Sequence, residues 1–182
     1  MQQEEHSLIK QCVEGNADIY AVLVERHKDM VYNVAYRMLG DADLAQDLAQ
    51  ESFISAYNNL KNFRYDSKFS TWLYRIAINK CKDYLKGKRQ HVPIDEISET
   101  AFTKANPEED ISKKQIMDKV QTAINMLPED YREAIVLKHI EGLNYREMEV
   151  ILNLSANALK VKTHRGREML RRLLKEMGVL DE

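Results

Sequence analysis

Trp72, Arg75, Asn79, Lys82 and Lys86 recur at spacings of three, four, three and four residues. On a helix such spacing brings them to one face, each a turn above the last. An indole beside an amide and three cations can stack a base and hold a phosphate backbone, which is how single-stranded nucleic acid is gripped. The same periodicity also fits an indole partly buried as an anchor between helices. A second row, Asn157, Lys160, Val161, His164, Arg167 and Arg171, has the chemistry of a major-groove reader. Its amide and some cations can meet base edges while the other cations meet phosphates. A third row, Asp43, Asp47 and Glu51, repeats every four residues. Carboxylates placed so can hold metals in helical bundles, but such sites also use a Glu-x-x-His pair, and the chain has none. The row reads instead as a solvated face or a docking surface for a basic partner. There is no Ser-His-Asp arrangement, no phosphate-cradling Gly loop and no HExxH. A binding protein without cofactor or metal is expected, not an enzyme.

Charge sharpens this reading. The 182 residues carry a net charge of −2. Residues 61–90 alone hold nine basic and two acidic side chains, and residues 154–175 hold seven basic and one acidic, Glu168. Residues 1–60 are net −6 and residues 91–112 net −5. Two basic blocks separated by an acidic one imply two polyanion-binding surfaces. With one acid in the second block, pairing along the helix cannot neutralise it.

Positioning these rows falls to helices. Six Gly and three Pro leave few breaks, and the residues that favour helices are abundant, so the fold expected is all-α. A first helix is expected near residues 4–14. Asn16 is placed to cap a second, with Ile19, Val22, Leu23, Met30, Val34 and Met38 at helical period. Gly40 ends it and Asp41 starts a third. Ser70 is the expected N-cap of the helix that carries Trp72, whose core face holds Phe69, Leu73, Ile76, Ala77, Cys81 and Tyr84. Lys80 falls on that apolar side and is expected to snorkel. Residues 90–110 contain two of the three prolines and no clean period, and read as an acidic linker. Helix resumes with Ile116, Val120, Ala123, Ile124 and Leu127 in register, followed by Pro128 in the first turn of the next helix. Gly142 ends that helix, and Asn144 caps "YREMEVIL".

A short helix, the turn "NLS" and a long amphipathic helix form a helix-turn-helix pattern. Asn153 stands at the turn and tolerates the left-handed conformation. Ser155 can cap the second helix, and Leu159, Thr163, Gly166, Leu170 and Leu173 form its inner face. No apolar run reaches the roughly 18 residues of a membrane span. The acidic N-terminus is not that of a signal peptide. Cys12 and Cys81 are therefore expected as reduced cytoplasmic thiols.

Three segments in series then resemble a known family. "YRMLGDADLAQDLAQESFISAY", "FRYDSKFSTWLYRIAINKCKDYLK" and "LPEDYREAIVLKHIEGLNYREMEVILNLSANALKVKTHRGREMLRRLL" are similar to bacterial extracytoplasmic-function sigma factors of RNA polymerase. The resemblance implies two small helical domains, region 2-like over 1–89 and region 4-like with the helix-turn-helix over 111–182, joined by a flexible linker. It implies docking on core polymerase through Asp47, Gln50, Glu51 and Phe53. Recognition and opening of the −10 element would involve Phe63, Arg64, Ser70, Thr71, Trp72, Arg75, Ile76 and Asn79, and Lys82 and Lys86 of the same row are expected to join them. Reading of the −35 element would fall to Ser155, Asn157, Ala158, Lys160, Val161, Lys162, His164, Arg165 and Arg167, with Arg171 continuing the row. Promoter DNA, core polymerase and an anti-sigma factor, often membrane-linked, are the implied partners, with no membrane insertion of the chain itself. The alternative is a stand-alone helix-turn-helix regulator whose first half dimerises or senses.

The chain departs from the family's usual pattern at Asn157-Ala158, where Gly-Thr is common, and at Lys162, where Arg is common. Lys lacks the bidentate fork of Arg. Glu149 stands where a small Ala is usual, beside the turn between the two helices. It is expected either to pair with a nearby cation or to loosen the unit.

Overall fold

The computed structural model describes residues 2–91 and 108–180, with side chains over 3–88 and 114–180. Among the described residues it is all helix: α1 Gln2–Val13, α2 Tyr20–Leu39, α3 Ala42–Asn59, α4 Phe69–His91, α5 Glu108–Met126, α6 Glu129–Ile135, α7 Tyr145–Leu152 and α8 Ala156–Glu176. The expected linker at 90–110 falls outside the described residues between 92 and 107, and the helices on either side run into its ends.

Local chemistry sets the boundaries. Gly40 ends α2 at φ 74°, and its N–H donates to the Tyr36 carbonyl at 2.7 Å. A side chain there would also strike Asn125 of α5, so this position requires glycine twice over. The Asp41 carboxylate accepts from the Leu44 N–H at 3.0 Å and starts α3. Asn144 and Glu147 form a reciprocal capping box at α7. Asn153 adopts φ 53°, ψ 45°, the left-handed turn its type allows. Two expected caps differ. Asn16 makes no side-chain cap and opens a single 3₁₀ turn, Ala17–Ile19, ahead of α2. Ser70 lies inside α4, which begins one residue earlier at Phe69. After α6 the chain widens into a π-helical turn, Val136–Ile140, before Gly142 breaks it at φ 70°.

Helices α1–α4 pack Ile9, Leu23, Val34, Met38, Leu48, Phe53, Phe69, Leu73 and Ile78 into one interior. Helices α6–α8 close on Leu137, Met148, Ile151 and Leu159. Gly166 lets α8 approach α6 closely: a β-carbon there would lie 2.9 Å from Ile135. The two interiors are continuous, because α4 packs on α7 and α2 on α5. The wheel misplaced one aromatic side chain of α4: Tyr84, expected in the core, is 38% exposed. Trp72, for which the periodicity fits either an outward ring or a buried anchor, is only 9% exposed and takes the anchor position.

Candidate nucleic-acid interface

The loop before α4 and its first two turns form an aromatic floor. Phe63 and Trp72 lie 5.3 Å apart between ring centres, Phe69 and Trp72 5.7 Å, and Phe63 and Phe69 5.6 Å edge to face. Phe63 and Thr71 are buried, and Ser70 and Ile76 half-buried. Burial of Trp72 and Phe63 decides between the two readings of the indole in favour of the anchor: three rings collapse on one another more favourably than one projects into water. The edge that remains open is a cleft of about 410 Å³ lined by Asn62, Phe63, Arg64, Asp66, Ser67, Trp72, Arg75 and Val150. Arg64, Arg75, Asn79 and Lys86 are exposed. The row is therefore a polar and cationic rim over an aromatic floor.

Val150 belongs to α7, so the second half of the chain forms one wall of this cleft. Its carboxylates also reach the first half. Glu133 accepts from Lys82 Nζ at 2.9 Å, Glu141 from the Tyr74 hydroxyl at 2.6 Å, and Glu147 from Lys68 Nζ at 2.6 Å. Burial pushes the Glu133 carboxyl up from its ordinary value, with Lys82 opposing that shift. The Lys68 hydrogen bond holds Glu147 below the usual carboxylate range. Arg132 donates to the Met38 carbonyl at 2.6 Å, and Arg37 to Gln121 Oε1 at 2.8 Å. Lys82, expected to face solvent, is thus engaged within the chain.

On α8 the outward row faces solvent, with His164 Nδ1 3.5 Å from Glu168 Oε2. Asn157, Lys160, Val161, His164, Arg165, Arg167 and Arg171 are exposed, and Leu159, Thr163 and Gly166 are buried as expected. Ser155 caps the helix by accepting from the Ala158 N–H at 3.3 Å. Ala158 is half-buried behind that cap. Lys162 differs from its neighbours: its ammonium donates to Asp130 Oδ2 at 2.5 Å and lies 5.9 Å from the centre of the Tyr131 ring. It fastens α8 to α6.

On α3, Asp47, Gln50 and Glu51 are exposed on one face, and Glu51 accepts from Lys80 at 3.0 Å. Phe53, expected with them, is 8% exposed and belongs to the core. Ile54 takes the outward position instead, at 62% exposure, with Tyr57 one turn on. Among the described residues no cluster of His, Cys, Asp or Glu could hold a metal ion, and no helix is long and apolar enough to cross a membrane.

Residues 23–91 match Sigma-70 region 2, and residues 117–170 match Sigma-70 region 4. The ECF RNA polymerase sigma factor SigW of Bacillus subtilis is 39% identical over 181 residues, covering 93% of this chain and 96% of its own. The chain belongs to the ECF sigma factors of RNA polymerase. Its fold matches the structure of CnrH in complex with the cytosolic domain of CnrY, with a TM-score of 0.71 and 26% identity over 93% of this chain and 96% of that one. It also matches the sigma factor RpoE in complex with the anti-sigma factor NepR from Bartonella quintana, with a TM-score of 0.67 and 22% identity over 86% and 96%.

As an ECF sigma factor the chain binds core RNA polymerase and directs promoter-specific initiation, and a regulator working alone is not supported. Sequence reasoning missed three groups in this sigma factor. Ile54 and Tyr57 were skipped because a wheel centred on the acids hides apolar neighbours. Glu133, Glu141 and Glu147 carry no local signal, since their partners lie 51, 67 and 79 residues away in sequence. Glu149, expected to pair with a cation or to loosen the unit, does neither: its carboxylate accepts from a backbone amide, the Ala156 N–H, at 2.6 Å.

Proposed function

We propose that this sigma factor reads promoter DNA with two separate surfaces. The exposed row of α8, Asn157, Lys160, Val161, His164, Arg165, Arg167 and Arg171, enters the major groove of the −35 element. The observation that carries this is a cationic face presented by a capped helix behind a left-handed turn, with one neighbouring acid, Glu168. The rim of Arg64, Arg75, Asn79 and Lys86 over the Phe63–Trp72 floor takes the −10 strand as it separates. The two surfaces correspond to units over 1–89 and 111–182. The outward α3 face, Asp47, Gln50, Glu51 and Ile54, docks on core polymerase by charge and apolar contact together.

The two surfaces are not equally ready. Lys82 and Lys68 are bound to carboxylates of the other unit, and α7 walls the cleft, so the −10 surface meets DNA only after the units separate. Polymerase docking supplies that separation. In the cytoplasm, an anti-sigma partner such as the Bartonella relative carries in its complex would hold the factor out of polymerase.

The test is the holoenzyme, made from this chain and core polymerase, on duplex fragments that support a specific transcript. Lys160→Ala with Arg167→Ala should weaken binding by ~1–3 kcal/mol per lost contact and lower the salt slope by about one unit for each phosphate contact removed. An unchanged slope with unchanged affinity would remove α8 from the interface.

A further inference from the structure

Glu149 holds the turn between α7 and α8 at both ends. Its backbone carbonyl accepts from the Asn153 N–H at 2.9 Å, where the chain turns left-handed. Its side-chain Oε1 accepts from the Ala156 N–H at 2.6 Å, where α8 begins. One residue thus brackets Asn153, Leu154 and Ser155. A charge-assisted bond of this length is shorter and stronger than a neutral one. The neighbouring Ser155 cap is longer, 3.3 Å.

The position has a second consequence. The first amides of a helix lack partners within it and present positive charge outward. Proteins that grip DNA commonly set such amides against a phosphate, a contact that carries no sequence information. Here the Ala156 amide is occupied by a carboxylate and the Ala158 amide by Ser155. Among the described residues no cation pairs with the Glu149 carboxylate, so it places a negative group against the amide end of α8 with no side-chain counter-ion. A phosphate approaching there meets a like charge and an occupied donor. Asn157, Lys160 and Val161, which follow within the next turn and a half, are held at a fixed angle to α7 and lose a competing, sequence-blind anchor.

We propose that Glu149 is a positioning and specificity-setting residue for −35 reading: it locks the N-terminus of α8 to α7 and excludes a phosphate from it. The inference rests on the assignment of α8 to the −35 element. It predicts a trade of sequence-independent affinity for discrimination.

The experiment uses holoenzyme built from the full chain and a pool of random 40-base-pair duplexes, from which bound molecules are sequenced. Wild-type holoenzyme enriches a −35 motif. For Glu149→Ala, enrichment at the positions under α8 should flatten about tenfold, and binding to a shuffled duplex should rise. Its salt slope on that duplex should steepen by roughly one unit, for the one phosphate contact admitted. Glu149→Gln keeps an acceptor for the Ala156 N–H and should restore most of the discrimination. Hydrogen exchange at the Ala156 amide in the free chain should quicken in the Ala variant and far less in the Gln variant.

Three results overturn the proposal. One is a motif equally sharp in wild type and both variants. A second is an equal loss on selected and shuffled duplexes with a lowered Tm, which leaves Glu149 a purely structural cap. The third is an unchanged Ala156 exchange rate in Glu149→Ala. If wild-type holoenzyme enriches no −35 motif while the Ala156 amide is protected, the assignment of α8 has failed, and the specificity role falls with it.

Discussion

The two cationic rows of this sigma factor are built from similar residues and differ in what they face. On α4, Lys82 is bound to Glu133 and the first turns lean on α7, while Tyr74 and the nearby Lys68 are held by Glu141 and Glu147. On α8, Lys160, Arg165, Arg167 and Arg171 are exposed, and none has an ion-pair partner among the described residues. The largest apolar side chain of each row differs in the same sense: Trp72 is 9% exposed and Val161 50%. A duplex reader can stand ready, because its ligand exists before initiation. A surface for separated strands has no ligand until the duplex opens, and in this chain one cation of its row, Lys82, is held by Glu133 of the other unit while Arg64, Arg75, Asn79 and Lys86 stay exposed. The difference shows that a basic row read from sequence does not disclose whether it is free.

The largest effect expected is at the buried end of this comparison. Trp72→Ala removes the ring that Phe63 and Phe69 pack against and should destabilise the chain by ~3–5 kcal/mol, read as a fall in Tm. That loss would mask any selective defect in promoter opening. Trp72→Phe keeps a ring in the cluster and should cost less. In holoenzyme it should slow opening while leaving closed-complex binding near wild type. An Ala variant with unchanged Tm would mean that the indole is not part of the core.

The next effect probes the contacts that cover α4. A hydrogen bond to a charged group contributes ~1.5–3 kcal/mol, so Glu133→Gln with Glu141→Gln should shift the balance toward separated units by more than tenfold. Trp72 is the only tryptophan, and one wall of its cleft is Val150 of α7, so its emission reports the change directly. The double variant should show red-shifted emission and stronger acrylamide quenching in the free chain, and wild type should show the same shift on binding core polymerase. Identical spectra in all three states would mean that α7 does not control the cleft.

How much of this was legible follows from where the information lies. The helices, the turn at Asn153 and the buried stripe of α8 depend on neighbours within a few residues, so periodicity and turn chemistry located them. The outer row of α8 was readable for the same reason, since a face that touches water needs no partner to be named. The environment of Trp72 was not readable from one helix. Its neighbours include Phe63 in the preceding loop and Val150 in the other half, and a wheel of α4 contains neither. Phe53 and Ile54 show the finer limit: adjacent residues of similar hydrophobicity, one buried and one 62% exposed, are separated by a 100° rotation that depends on how α3 docks. Glu149 stands beside the turn in sequence, and only the geometry of the turn shows that its carboxylate reaches a backbone amide.

The smallest effect separates two lysines on the same helix. Lys160 is exposed, whereas Lys162 donates to Asp130 at 2.5 Å. If α8 meets DNA through its outward row only, Lys162→Ala should leave the salt slope of holoenzyme binding unchanged where Lys160→Ala lowers it by about one unit. Its cost should appear as stability instead. Asp130 is largely exposed, so solvent screening limits the pair to a few tenths of a kcal/mol. The Lys162 hydrogen bond holds the Asp130 carboxyl below its ordinary value. A depressed carboxylate stabilises the fold above its unfolded pKa and ceases to do so as pH falls through the folded one. The difference in stability between wild type and Lys162→Ala should therefore be present at neutral pH, begin to fall near the unperturbed aspartate value of about 4, and vanish only once pH has passed below the lower folded value. A slope change equal to that of Lys160→Ala, with no pH-dependent loss of stability, would place Lys162 on the DNA and dissolve the distinction between the occupied and open sides of α8.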